Sequence, residues 1–214
     1  MDEADRPGPG EELNRGAPTQ PRQAASVIVL RGRADTLEVL LVQRNPAARF
    51  MGGAWVFPGG AVDAGEGDDD AAHRAAAVRE LAEEAGLSAR AEDLVGFSRW
   101  ITPAMVKIRF DTWFFLARAP EGASPRVDGQ ECVAFRWATP HDALTAGRAG
   151  ELLLVFPTIK HLEQLGGFES VDALLAHART QHVRPVEPRV DIEGETARIL
   201  LPGEPGYDEA GAGA

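Results

Sequence analysis

Three carboxylates crowd one short stretch, Arg79-Glu-Leu-Ala-Glu-Glu-Ala-Gly-Leu87. On a helix turning 100° per residue, Glu80, Glu83 and Glu84 fall within roughly a 100° arc of one face. Val78, Leu81, Ala82 and Ala85 take the opposite side, with Ala75 one turn earlier. Like charges this close repel one another and weaken an isolated helix. A hard divalent cation removes that repulsion. Magnesium prefers carboxylate oxygens and keeps several waters that substrate phosphates can replace. It can also neutralise charge developing on a diphosphate and activate a water. Arg79, one turn before Glu83, is placed to orient that carboxylate. A solvated helix with surplus glutamate would show the same string, so its surroundings decide.

Those surroundings are strands and glycine-rich loops. Ala25–Leu30 and Leu37–Gln43 read as strands joined by a turn from Gly32 to Asp35. Gly52, Gly53, Pro58, Gly59 and Gly60 around Trp55–Phe57 indicate backbone shaped for a purpose rather than regular structure. An Asp in the GEGDDD run at 65–70 caps a helix predicted over Ala71–Ala85, which Gly86 stops. Strands are predicted at Leu94–Ile101, Phe110–Ala117 and Cys132–Trp137, and short helices at Pro140–Ala146, Phe156–Leu165 and Val171–Arg179. One further strand, Thr196–Leu201, precedes a Gly-rich tail. The first 24 residues are rich in Pro, Gly, Glu and Gln and are expected to be disordered. The mixture predicts an α/β or α+β sandwich with helices packed on a sheet.

Composition narrows the function. The chain has 214 residues, 44% of them hydrophobic, which suits one domain with a core and an added lobe. Its formal net charge of −11 argues against a nucleic-acid polymer as partner. A small anionic substrate stays allowed, because a bound cation reverses the local sign. A single cysteine, Cys132, allows no internal disulfide, and no secretory signal or long apolar run is seen. A cytoplasmic location without membrane attachment is the expectation. The sequence holds no GXXXXGK[ST], HEXXH, CXXC or GXSXG pattern, which removes several enzyme classes.

Gly60, five residues, Glu66, and then Arg79–Leu87 together resemble the Nudix box, GX5EX7REUXEEXGU with U aliphatic. The second half matches at every specified position. Between Glu66 and Arg79, however, this chain has twelve residues, 67–78, where the pattern has seven, which puts the role of Glu66 in question. Phe57-Pro-Gly-Gly60 is similar to the usual lead-in to the box, and Leu40–Arg44 to the strand before it. Arg49, Gly53 and Phe57, spaced as Arg-x3-Gly-x3-Phe, resemble the signature of coenzyme A diphosphatases within this superfamily. Trp100–Pro103, Arg109–Thr112 and Phe114–Phe115 are similar to its acyl-CoA diphosphatase branch.

The resemblance covers about residues 25–146 and implies a Nudix α/β/α sandwich with a mixed sheet, over residues 25–150. Residues 151–214 would be a C-terminal helical extension and tail packed on it. It implies magnesium, with manganese as an alternative, bound by Glu80, Glu83, Glu84 and the Gly59 carbonyl, with Arg79 holding the carboxylates. Glu83, Glu84, Arg79 and Glu131 would form the catalytic set. Glu131 is the candidate for a further ligand or base, with Asp128 and Glu121 as competitors. Arg49, Arg109 and Trp100 are the substrate-binding candidates. Surface salt bridges are the alternative for the two arginines, and core packing the favoured role for Trp100, Trp113 and Phe115. His73 is expected to be solvated, and Cys132 an ordinary strand residue. The implied substrate is a small nucleoside diphosphate derivative such as coenzyme A or acyl-CoA. Alternatives are ADP-ribose, NADH or oxidised nucleoside triphosphates, or a non-catalytic ligand sensor. The tail after Phe156 allows either a homodimer contact or a cover over the substrate pocket.

Overall fold

The computed structural model describes Asn14 and residues 16–32, 36–193 and 196–210. Most of the N-terminal stretch expected to be disordered, the centre of the turn after Gly32 and the last four residues lie outside these. Strand β1 (Arg22–Arg31) begins three residues earlier than expected, because Arg22–Ala24 pair in parallel with Phe110–Thr112 of β6. Its run of seven buried residues makes it the centre of the sheet. β2 (Glu38–Arg44) pairs antiparallel with the far end of β1. The glycine-rich segment contains two short strands, β3 (Trp55–Val56) on β2 and β4 (Gly59–Ala61) on the near end of β1. β5 (Val95–Ile101), β6 (Phe110–Arg118) and β7 (Cys132–Ala138) follow. The order is β3-β2-β1-β6-β5-β8, with β4 on β1 and β7 on β2. The last member, β8 (Pro185–Val186), lies parallel to β5. β9 (Arg189–Glu193) and β10 (Thr196–Leu200) form a separate two-stranded sheet.

The helices divide between two faces. α1 (Asp70–Ala85) covers one, where Ala76, Ala77, Leu81 and Ala85 pack against Val27, Val29, Leu40, Val42 and Phe115. α2 (Pro140–Arg148), α3 (Phe156–Leu165) and α4 (Val171–Thr180) cover the other, against Ile28, Leu30, Val39, Leu41, Phe114 and Leu116. This is the expected α/β/α sandwich on a mixed sheet. Alternation along β1 and β2 sends successive side chains into opposite cores. Among the described residues no helix is long and apolar enough to cross a membrane.

α1 is fixed at both ends. The Asp69 side chain accepts the Ala72 N–H, and Gly86 closes the helix in a left-handed conformation at φ 62° that disfavours side chains. Its inward stripe is Ala72, His73, Ala76, Ala77, Glu80, Leu81, Glu84 and Ala85. That corrects the face assignment from periodicity: Ala75 and Ala82 are exposed, while Glu80 and Glu84 join the buried side. Alanines at 72, 76 and 77 let the helix approach the sheet closely enough to carry the two carboxylates under it.

Candidate active site

β4 runs beneath α1, and its glycines make room for the carboxylates. The Gly59 N–H donates to Glu84 Oε2 at 2.9 Å. A Cβ on Gly60 would overlap the Glu80 carboxylate, so a side chain there would displace it. Arg79 braces this corner. It donates to Glu80 Oε1 at 2.7 Å, to Glu83 Oε2 at 3.4 Å and to the Ala61 carbonyl at 2.9 Å, with Asp63 3.5 Å away. A guanidinium can join two carboxylates and a carbonyl in one plane, which an ammonium cannot. Burial alone would lower the Arg79 pKa, but the hydrogen bond and charge of Glu80, with Asp63 and Glu83, hold it above the ordinary value.

For two of the carboxylates burial outweighs the nearby positive charge. Glu84 is 2% exposed, and burial pushes its pKa up to about 7. The Gly59 N–H and Arg44, 3.8 Å away, pull it down, and neighbouring Glu80 pushes it up. Glu80 is raised as well, first by burial, against the pull of Arg79, with Glu83 and Glu131 adding repulsion. Glu83 differs: its side chain is 60% exposed and held only by the long 3.4 Å contact from Arg79. Cys132 completes the floor. Its thiol donates to Glu84 and is pushed up to about 12 by burial and by the Glu84 charge, so it stays protonated and is no nucleophile.

Among the described residues, no three His, Cys, Asp or Glu side chains are already gathered into a metal-holding group. The donor set still fits a hard divalent cation. Two desolvated carboxylates with raised pKa values face the glycines of β4, and the more exposed third can rotate in. Oxygen is the donor type that magnesium and manganese share.

Of the three acids offered as a further base, Glu131 is the one whose charge reaches Glu80. Asp128 instead accepts the backbone N–H groups of Glu131 and Cys132, and Glu121 is exposed. Glu66 closes its own turn by accepting the Asp63 N–H. Arg49 is exposed and has no ion pair among the described residues. Arg109, offered as either a phosphate contact or a surface salt bridge, is engaged within the chain. It is buried, and donates to the Thr102 and Thr19 carbonyls and to Glu187 at 2.6 Å. It therefore ties the segments at Thr19 and Glu187 to the start of β6. Trp100 packs against Phe156 and His161 at the rim of the helical core, the packing role favoured for it. His73 is buried rather than solvated, bonded to the Asp69 carbonyl and the Gln23 side chain. The inward stripe of α1 carries it there.

Arg44 is the residue that sequence reasoning missed. It ends β2, faces Glu84, and its buried Nε has no hydrogen-bond partner. A basic residue closing the strand before a glycine loop was the available signal. A β-bulge between Gln43 and Arg44 sets Cys132 opposite Arg44, on the α1 side of the sheet.

The NUDIX domain model matches residues 20–155. The chain belongs to that family. It is 28% identical over 186 residues to nudix hydrolase 7 of Caenorhabditis elegans, covering 71% of this chain and 62% of that protein. It is 28% identical over 121 residues to the human acyl-coenzyme A diphosphatase NUDT19, covering 54% of this chain and 32% of the relative. The chain thus spans less than two thirds of the length of either. A NUDIX hydrolase from Alicyclobacillus acidocaldarius superposes with a TM-score of 0.66 at 29% identity, over 74% of this chain and 96% of that structure.

Proposed function

We propose that this chain is a magnesium-dependent pyrophosphohydrolase that cleaves the diphosphate linkage of a nucleoside diphosphate derivative. The observation that carries the reading is the pair of desolvated carboxylates, Glu80 and Glu84, set against Gly59 and Gly60 with their pKa values raised. Glu80, Glu83, Glu84 and the Gly59 carbonyl would hold the ion. When bound, magnesium would place positive charge on the diphosphate oxygens and acidify a water. Arg79 holds Glu80 at 2.7 Å, so the Glu80 oxygens need little reorganisation. Glu131, whose charge reaches Glu80, would accept the proton of the attacking water, and the half-buried Arg44 guanidinium would pair with a phosphate oxygen.

Coenzyme A or an acyl-CoA is the substrate class we put first. Arg49, Gly53 and Phe57 keep the spacing of that branch, and the human relative is named for that activity. Products would be adenosine 3′,5′-bisphosphate and a 4′-phosphopantetheine species. The test is hydrolysis with magnesium across coenzyme A, acetyl-CoA, ADP-ribose, NADH and 8-oxo-dGTP, with products identified by mass. Preferential release of the bisphosphate supports the assignment. Preference for another compound keeps the chemistry and discards coenzyme A. Retained turnover in both Glu83→Gln and Glu84→Gln rejects the site.

A further inference from the structure

Strand β7 carries an aromatic ring that the fold leaves uncovered. β7 is paired only with β2 among the described residues. In that pairing Trp137 opposes Leu40, Phe135 opposes Val42, and Cys132 opposes Arg44. Leu40, Val42 and Cys132 all belong to the core under α1. Directly opposed residues of an antiparallel pair share a face, so Phe135 lies on the α1 side. α1 rests mainly over β1 and β4 and touches β7 only lightly. Phe135 is 41% exposed, whereas the other eight phenylalanines are buried or half-buried.

The ring stands in line with the carboxylates. Cys132, whose thiol bonds to Glu84, precedes Phe135 by three residues, one of them taken up by the bulge; their partners Arg44 and Val42 are two residues apart, so at about 3.3 Å per residue the separation is about 7 Å. A nucleoside bridges a comparable span between its phosphate and its base. Glu131, whose charge reaches Glu80, opens the same strand. The bulge beside Arg44 interrupts the free edge of β7, which disfavours pairing with a strand of a second copy.

We propose that Phe135 is the platform on which the heteroaromatic base of the substrate stacks, making it a specificity residue of this site. The proposal rests on the pyrophosphohydrolase reading above and adds the position of the base. Every base has a π-face, so such a platform selects nucleotides over bare sugar phosphates without selecting strongly among bases.

The test uses the full chain with magnesium, as wild type, Phe135→Ala and Phe135→Trp. AMP and ribose 5-phosphate are titrated in by calorimetry, and the substrate panel is run on all three proteins. Wild type should bind AMP about tenfold more tightly than ribose 5-phosphate. Phe135→Ala should bring that ratio near one without changing ribose 5-phosphate affinity, and should raise KM for the preferred nucleotide about tenfold. Phe135→Trp should restore the ratio. An undiminished ratio in Phe135→Ala, or no preference for AMP in wild type, overturns the platform. Continued cleavage of the panel would then leave the pyrophosphohydrolase reading standing. No cleavage by wild type rejects that reading, while calorimetry still decides the platform. A wild-type dimer that Phe135→Ala splits, seen by sedimentation, would make this face a contact between copies and overturn the proposal.

Discussion

Replacing Glu84 by Gln should stabilise the metal-free protein while destroying its chemistry. The amide is isosteric and its oxygen can keep the 2.9 Å bond from the Gly59 N–H. What it removes is a buried charge. Burial raises the Glu84 pKa from 4.5 to about 7, so the folded state binds this proton more tightly than the unfolded chain. The associated stability is fully present below 4.5 and is lost as pH rises through about 7. At about 1.4 kcal/mol per pH unit, the ionised carboxylate costs about 3 kcal/mol at pH 8. At pH 5 the same linkage leaves less than about 1 kcal/mol. Arg44 loses its weak partner in the variant, so we expect a net gain of roughly 1–3 kcal/mol at pH 8. That corresponds to roughly 3–10 °C in Tm for a chain of this size. Chemical denaturation with a chelator present, at pH 8 and pH 5, measures both differences. Magnesium should then raise the Tm of wild type and leave the variant almost unmoved, while turnover falls by about a hundredfold or more. A variant less stable than wild type at pH 8, or a gain that does not shrink at pH 5, would refute the reasoning.

Gly60→Ala should cut turnover by about a hundredfold with the fold intact, because the added methyl meets the Glu80 carboxylate; circular dichroism and kinetics read the two parts. His161, enclosed by Phe57, Phe97, Trp100 and Phe114, is pulled down to about 3 by burial, against the pull of the Pro157 carbonyl. Its stability contribution is present above 6.5 and is lost as pH falls toward 3, by about 2 kcal/mol between pH 7 and pH 5. Measured in the Glu84→Gln background, where the opposing glutamate effect is absent, a flat pH profile over that range would contradict this. Arg109→Ala should free the segment around Glu187, which limited proteolysis would detect, at a cost of about 2–3 kcal/mol by urea denaturation.

Local information in the sequence sufficed for the longer elements and for the family. The caps at Asp69 and Gly86 bound α1 to within a residue of the helix read from pattern alone. The span of α3 was legible without change, since proline sets its start and its apolar spacing sets its length. The spacing of Arg79, Glu80, Glu83 and Glu84 with Gly59 and Gly60 carried the family, because the chemistry needs those types at those separations.

Burial and pairing were decided elsewhere. Periodicity placed the three glutamates on one arc opposite the apolar side, yet Glu80 and Glu84 sit inside, since closeness between α1 and the sheet depends on alanines and glycines from two distant segments. His73 is buried for the same reason. Arg109 looked like a phosphate-binding residue until Thr19 and Glu187, far away along the chain, took its donors. Arg44 met Glu84, and Phe135 was left bare, only through the register of β7 on β2. A sequence carries the period and chemistry of each element, whereas which side chains share one desolvated corner depends on how non-local strands pair.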